Sequence, residues 1–270
     1  MLLIGVDFTS RPTRRKPIVM ALGHCERGVV RLAAVERFDS DAAYAQALRR
    51  ETAWVGGFDL PFGLPRELVE TLGWPRDWLA CLRHYAALSR EDIRATFQAF
   101  CDTRPAGAKF AHRACDRPAG SSPSMKWVNP PVAYMLHAGV LPLVDAGAAL
   151  PAHAHAGAQG TQRVALEAYP GLLARELIGP RPYKADEAAR QTAERLIARK
   201  DLLDALEQGR SRLDLRLKLG TAQREALVDD ASGDRLDATL CLVQAAWAQG
   251  QPGWGLPAGV DPLEGWIVSA

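Results

Sequence analysis

The stretch "LLIGVDFTS" (residues 2–10) reads as a β-strand that ends in a carboxylate. Successive strand side chains point to opposite faces, so Leu2, Ile4, Val6 and Phe8 share one face and Leu3, Gly5 and Asp7 the other. Both faces are apolar, which predicts a central strand covered on both sides. Asp7 has two readings. It begins a turn, as Asp commonly does, or a positive partner meets it, because an unpaired buried charge costs several kcal/mol.

Further along the chain, "PIVMALGHC" (17–25) and "VVRLAAVERF" (29–38) follow as strands, and their short connections predict an antiparallel meander. Asp39-Ser40 marks a helix start, and "DAAYAQALRRET" (41–52) is helix-prone and amphipathic. "AWVGGFDLP" (53–61) is the next strand, reached by a right-handed crossover and therefore parallel to an earlier one. Residues 62–150 leave the sheet pattern and read as helices and loops, a helical insertion within one domain spanning residues 1–270. "LPAHAHAGAQGTQ" (150–162) is expected to be a mobile surface loop. "RVALEAYP" (163–170) returns to strand character. Residues 184–209 predict a long helix capped at Gly209. "RLDLRLKLG" (212–220) alternates like an edge strand, and "GDRLDATLCLVQAAWAQG" (233–250) predicts a second strong helix.

Apolar residues make up 48% of the 270, enough for a core and too many for a disordered chain. The net charge of +2 argues against a protein that coats long nucleic acid through counterion release. Five cysteines, none in a C-x-x-C pair, favour reduced thiols and a cytoplasmic setting. No apolar run approaches the ~20 residues of a membrane span, so no membrane association is expected.

Three strands end in an acid: "GVDF" with Asp7, "GFDLP" with Asp59 and "LEAYP" with Glu167. Parallel strands bring their C-terminal ends to one edge, where ligands bind in α/β folds. Neighbouring strands lie ~4.8 Å apart. Two carboxylates at about 4 Å repel by about 1 kcal/mol in water and about 4 kcal/mol at an effective dielectric near 20. One acid stays protonated unless a cation neutralises the group. Hard oxygen donors with no His or Cys favour Mg²⁺ or Mn²⁺. The helix beginning near residue 234 adds a fourth acid. Asp237 borders its apolar stripe and can face the sheet edge, whereas Asp234, one turn earlier, can serve as an N-terminal charge. Both remain open as the helix ligand.

"GVDFTS", "GFDLPFGLP", "LEAYPG", "GDRLDATLCLVQAAW" and "EGWI" together resemble the family catalogued as domain of unknown function 429. "KFAHRACDRPAGSSPSMK" (109–126) and "PYK" (182–184) resemble features of a subgroup. The resemblance implies an α/β, ribonuclease H-like fold: a mixed five-stranded sheet of order 3-2-1-4-5, flanked by helices, with the 62–150 insertion. It implies two Mg²⁺ or Mn²⁺ ions, with Asp7 bridging them and Asp59, Glu167 and Asp237 completing the shell. All four acids are then both catalytic and metal-binding, and the activity is that of a metal-dependent nuclease or other phosphodiester hydrolase.

From Arg104 to Lys126 lie five basic residues, of which Lys109, Arg113 and Lys126 are candidates to hold substrate phosphates, the alternative being a solvated loop. His112, in the same segment, is a candidate substrate contact able to move a proton, and Lys184 is a further phosphate candidate. Arg11 and Arg14–Lys16, just after Asp7, are either phosphate contacts or an exposed turn. His153 and His155 form an H-x-H without a third ligand, and Trp74 and Trp78 read as core. P-loop, zincin and α/β-hydrolase signatures are absent. The partner expected is a nucleic acid or other phosphodiester. The rival readings are a phosphotransferase of the actin-like and sugar-kinase type, suggested by "GVDFTS", and a non-catalytic binding module on the same fold.

Overall fold

The computed structural model describes residues 1–270. Strands β1 (Leu2–Asp7), β2 (Ile18–Glu26) and β3 (Val29–Phe38) form the expected antiparallel meander. Helix α1 (Asp41–Arg50) begins where Ser40 accepts a hydrogen bond from the Ala43 backbone. It carries the chain across to β4 (Ala53–Asp59), which lies parallel to β1. Five helices follow: α2 (Arg66–Thr71), α3 (Trp78–Ala86), α4 (Arg90–Asp102), α5 (Asp116–Ala119) and α6 (Val132–Asp145). The chain then runs through β5 (Gln162–Glu167), α7 (Pro170–Ile178), α8 (Ala193–Glu207), β6 (Arg216–Lys218), α9 (Thr221–Asp229) and α10 (Asp234–Gln249).

The sheet has six strands in the order β5-β4-β1-β2-β3-β6, one more than the resemblance implies. The extra strand is the short edge of "RLDLRLKLG", three residues paired parallel to β3. Two apolar layers sandwich the sheet. Ile4, Val6, Phe8 and Phe58 pack beneath α1 and the α2–α6 helices. Leu3, Val19, Val55 and Leu166 pack beneath α7–α10. Period-two alternation along β1 thus feeds two cores, as its doubly apolar pattern requires.

Two expectations fail for identifiable reasons. Residues 184–192 do not join α8, which starts only at Ala193. The Tyr183 and Lys184 side chains are drawn instead to Asp237, the chain there has no regular structure, and only a single 3₁₀ turn, Ala188–Arg190, precedes the helix. Residues 150–162 are not simply a surface loop. His153 stacks on Trp78 at 4.5 Å, its Nδ1 donates to the Pro262 carbonyl at 2.7 Å, and it is 5% exposed. Of that stretch, Ala154 and most of residues 156–162 are exposed. Trp78 is core, as expected, and all five cysteines are free. No helix is long and apolar enough to cross a membrane.

Candidate metal centre at the sheet edge

Asp7 and Asp59 are direct partners in the parallel β1–β4 ladder, so their side chains leave the same face. Gly5 and Gly57 precede them by two residues, and these too pair across the ladder on that face. A Cβ at Gly5 would overlap the Ala238 carbonyl and the Leu242 amide of α10. A Cβ at Gly57 would lie 2.5 Å from the Cys241 carbonyl. The two glycines therefore let α10 sit directly on the sheet backbone. That close seat lowers the first turn of the helix onto the two aspartates and delivers Asp237.

Carboxylate oxygens of Asp7, Asp59 and Asp237 lie within 4.8 Å of one another. Asp237 is fully buried, and Asp7 is 9% exposed. Asp237 is well partnered: the Tyr183 hydroxyl donates to Oδ1 at 2.5 Å, and the Lys184 ammonium donates to Oδ2. The carboxylates of Asp7 and Asp59 receive no hydrogen bond within the protein. Burial, reinforced by Asp237 and Asp234 and opposed by Lys184, holds the Asp7 carboxyl well above its ordinary range. Burial likewise pushes Asp59 up to about 7, with Lys184 opposing and Asp237 and Glu167 assisting. Burial alone would discharge Lys184, but the facing Asp237, Asp7 and Asp59 outweigh it and keep the ammonium charged. Three carboxylates thus face the Lys184 ammonium, and Lys16, held by Asp234 and Asp186, adds a second positive charge in the field of Asp7.

This donor set fits a hard divalent cation. It offers three oxygens, no sulfur and no imidazole, and two of its carboxylates lack any donor of the protein's own. Asp234, the alternative helix acid, is instead paired with Lys16 at 2.8 Å, and the same Lys16 reaches Asp186 at 2.8 Å.

Glu167 does not join the group, for a reason of register. It pairs with Phe58, not with Asp59, so its side chain leaves the opposite face of the sheet. There both of its oxygens meet the Arg113 guanidinium, at 2.6 and 2.7 Å, and the Phe62 amide donates to it at 2.9 Å. Arg113 also binds Asp116 at 3.0 Å and is 3% exposed, so it is consumed by this network and not free to meet a substrate. Lys184, expected on phosphate, rests on Asp237. Lys109 and His112 are exposed and line a cavity of about 560 Å³ together with Arg104 and Arg117. Lys126 is half-buried at a turn, its backbone amide bonded to the Pro123 carbonyl at 3.0 Å.

The sequence pattern does not single out Tyr183, Lys16, Asp116 or Glu264 as contributors to these networks. Glu264 gives "EGWI" a structural role, because its two oxygens accept from the Arg66 and Ala114 amides at 2.8 and 2.9 Å. A usable signal for the acid group does exist in the sequence. "GVD" at 5–7 and "GFD" at 57–59 share a G-x-D pattern that "LEAYP" lacks, and that pattern marks the strands on which a helix can rest.

Searches of curated proteins and of solved structures gave no match to the chain. The family model described as "Protein of unknown function (DUF429)" matches residues 5–258, and the chain therefore belongs to that family.

Proposed function

We propose that the protein is a divalent-metal-dependent phosphodiester hydrolase acting on nucleic acid, built on a ribonuclease H-like sheet. The fold reading draws support from the run β3-β2-β1-β4-β5 within the six-stranded sheet. One observation carries the functional reading: three separate elements bring Asp7, Asp59 and Asp237 together in a buried spot where two of the three have no donor. A structural ion-pair network would supply such donors, as Arg113 does for Glu167 on the other face.

In this reading Asp7, Asp59 and Asp237 hold Mg²⁺ or Mn²⁺. Such a cation, when bound, supplies Lewis acidity toward a phosphoryl oxygen and a route to a hydroxide nucleophile at neutral pH. The remaining work belongs to the chain. Tyr183 fixes the orientation of Asp237 through its hydroxyl. Lys184 presents a positive charge beside the acids, where it can meet a non-bridging phosphate oxygen as charge develops there. The apolar layers under β1 and β4 limit water at the site and strengthen each of these interactions.

The reading is tested by incubating the protein with labelled single-stranded, hairpin and duplex oligonucleotides in Mn²⁺, in Mg²⁺ and in EDTA. We expect cleavage of at least one substrate with metal, none in EDTA, and a loss of at least about 100-fold in Asp59→Asn, beyond the effect typical of a residue that only supports a ligand. Cleavage that persists in EDTA or in Asp59→Asn would show that the acids are not the catalytic centre.

A further inference from the structure

The segment between α4 and α5 walls a cavity of about 560 Å³ lined by Glu67, Arg104, Lys109, Phe110, His112 and Arg117 among others. Its charges do not cancel. Arg104 is neutralised by Glu67. Arg113, in the cavity wall, is neutralised by Glu167 and Asp116. Lys109 and Arg117 are exposed and make no ion pair, and His112 beside them is equally free. Two permanent positive charges and an imidazole therefore share one concavity with no protein acid to answer them.

The cavity also has an aromatic wall. Phe110 lines it and packs against Trp127 with ring centroids 5.6 Å apart, and both rings are only half-buried. Unanswered cations beside a partly exposed phenyl ring, Phe110 backed by Trp127, suit a ligand that carries phosphate and a planar π-face together. A duplex turns its bases inward and offers phosphates alone, so it would leave the aromatic wall unused. A single strand offers both.

The cavity lies at the same sheet edge as the acids. Arg113 reaches from its wall to Glu167, and Glu167 faces Phe58 across the ladder, one residue before Asp59. The Phe62 amide, three residues beyond Asp59, donates to the same Glu167. The cavity and the Asp7–Asp59–Asp237 group occupy opposite faces of the sheet and are linked through Arg113, Glu167 and the turn after Asp59.

We infer that this cavity is the binding subsite for a short single-stranded nucleic acid, with Lys109 and Arg117 on its phosphates and Phe110 beneath a base. The inference rests on the phosphodiesterase reading for its purpose but not for its test, because binding here needs no metal.

The test is fluorescence anisotropy of a labelled 12-nucleotide oligo-dT and of a 12-base-pair duplex, with the full chain in EDTA. The proteins compared are wild type, Lys109→Gln/Arg117→Gln, and a control with equal charge loss, Lys200→Gln/Lys218→Gln, whose residues are exposed on α8 and β6. We expect the single strand to bind at least about tenfold more tightly than the duplex. The cavity double variant should lose at least about tenfold in affinity, and its log–log salt slope should fall by about 1.4, at about 0.7 per phosphate contact on a single strand. The control should match wild type. Phe110→Leu, which keeps the apolar packing, should weaken binding without changing the salt slope. Absence of binding to either probe, equal loss in the control, or duplex binding as tight as single-strand binding would each overturn the inference. Failure of the metal reading would appear separately, as oligonucleotide binding without metal-dependent cleavage.

Discussion

Asp7 and Glu167 are both carboxylates at strand ends, yet their surroundings are opposite. Asp7 is enclosed by apolar neighbours and other acids with no donor of its own. Glu167 has two guanidinium contacts and a backbone amide. A carboxylate satisfied in this way is an anchor: it ties the α4–α5 segment, through Arg113, to the strand edge and to the turn after Asp59. Glu167→Gln should therefore act on stability and not on metal. Removing one charge from a buried ion pair typically costs about 3–5 kcal/mol, and part of that should appear as a lowered melting temperature. Mn²⁺ affinity of the folded variant, measured by calorimetry, should stay within about twofold of wild type, since Glu167 leaves the other face of the sheet. A selective loss of Mn²⁺ binding in a well-folded Glu167→Gln protein would return Glu167 to the ligand set.

Among the secondary-structure elements, the contact of α10 with β1 and β4 makes the site. Gly5 and Gly57 are the positions where a side chain cannot be added without moving the helix backbone. Gly5→Ala should destabilise by at least about 3 kcal/mol, the upper end of overpacking costs, because the new methyl meets main chain and not a flexible side chain. Chemical denaturation would measure it, and a cost below about 1 kcal/mol would mean that α10 does not depend on this close seat. This contact also explains what the sequence revealed and what it hid. The strands were legible because β1 and β4 are apolar on both faces and end in Asp followed by turn residues. Asp7 and Asp59 could be paired because both stand at the ends of parallel strands. Glu167 misled because a one-residue offset in register, invisible in a single sequence, reverses the face. The tether of Tyr183 and Lys184 to Asp237 was equally hidden, since helical propensity across 184–209 says nothing about a distant carboxylate.

Across the molecule, the buried acid group couples stability to pH. Asp59 has a carboxyl pushed up to about 7 in the folded protein, against an ordinary value of 3.8. The folded state therefore binds more protons than the unfolded state between those values. Its contribution to stability is complete below about pH 4, falls as pH rises towards 7, and is lost above. Asp7, also raised, acts in the same direction. Without metal, the melting temperature of wild type should fall from pH 5 to pH 8 more steeply than that of Asp59→Asn, which has no carboxylate to ionise there. Saturating Mn²⁺ should reverse the difference, because metal binding favours the deprotonated acids. Identical pH profiles for the two proteins in EDTA would show that Asp59 ionises as freely when folded as when unfolded. The strands, the meander and most helices were legible from alternation and periodicity, whereas the order of the sheet followed only from the family resemblance. The sixth strand was legible only as an alternating edge, because three paired residues leave little pattern to read.

If Asp7 is a metal ligand, calorimetric titration of Mn²⁺ into wild type and Asp7→Asn will show it without any choice of substrate. Wild type should bind with a dissociation constant on the order of millimolar or tighter, and Asp7→Asn should not bind while it remains folded. Binding of equal strength in both proteins would exclude Asp7 from the ligand set and leave it as the first residue of a turn.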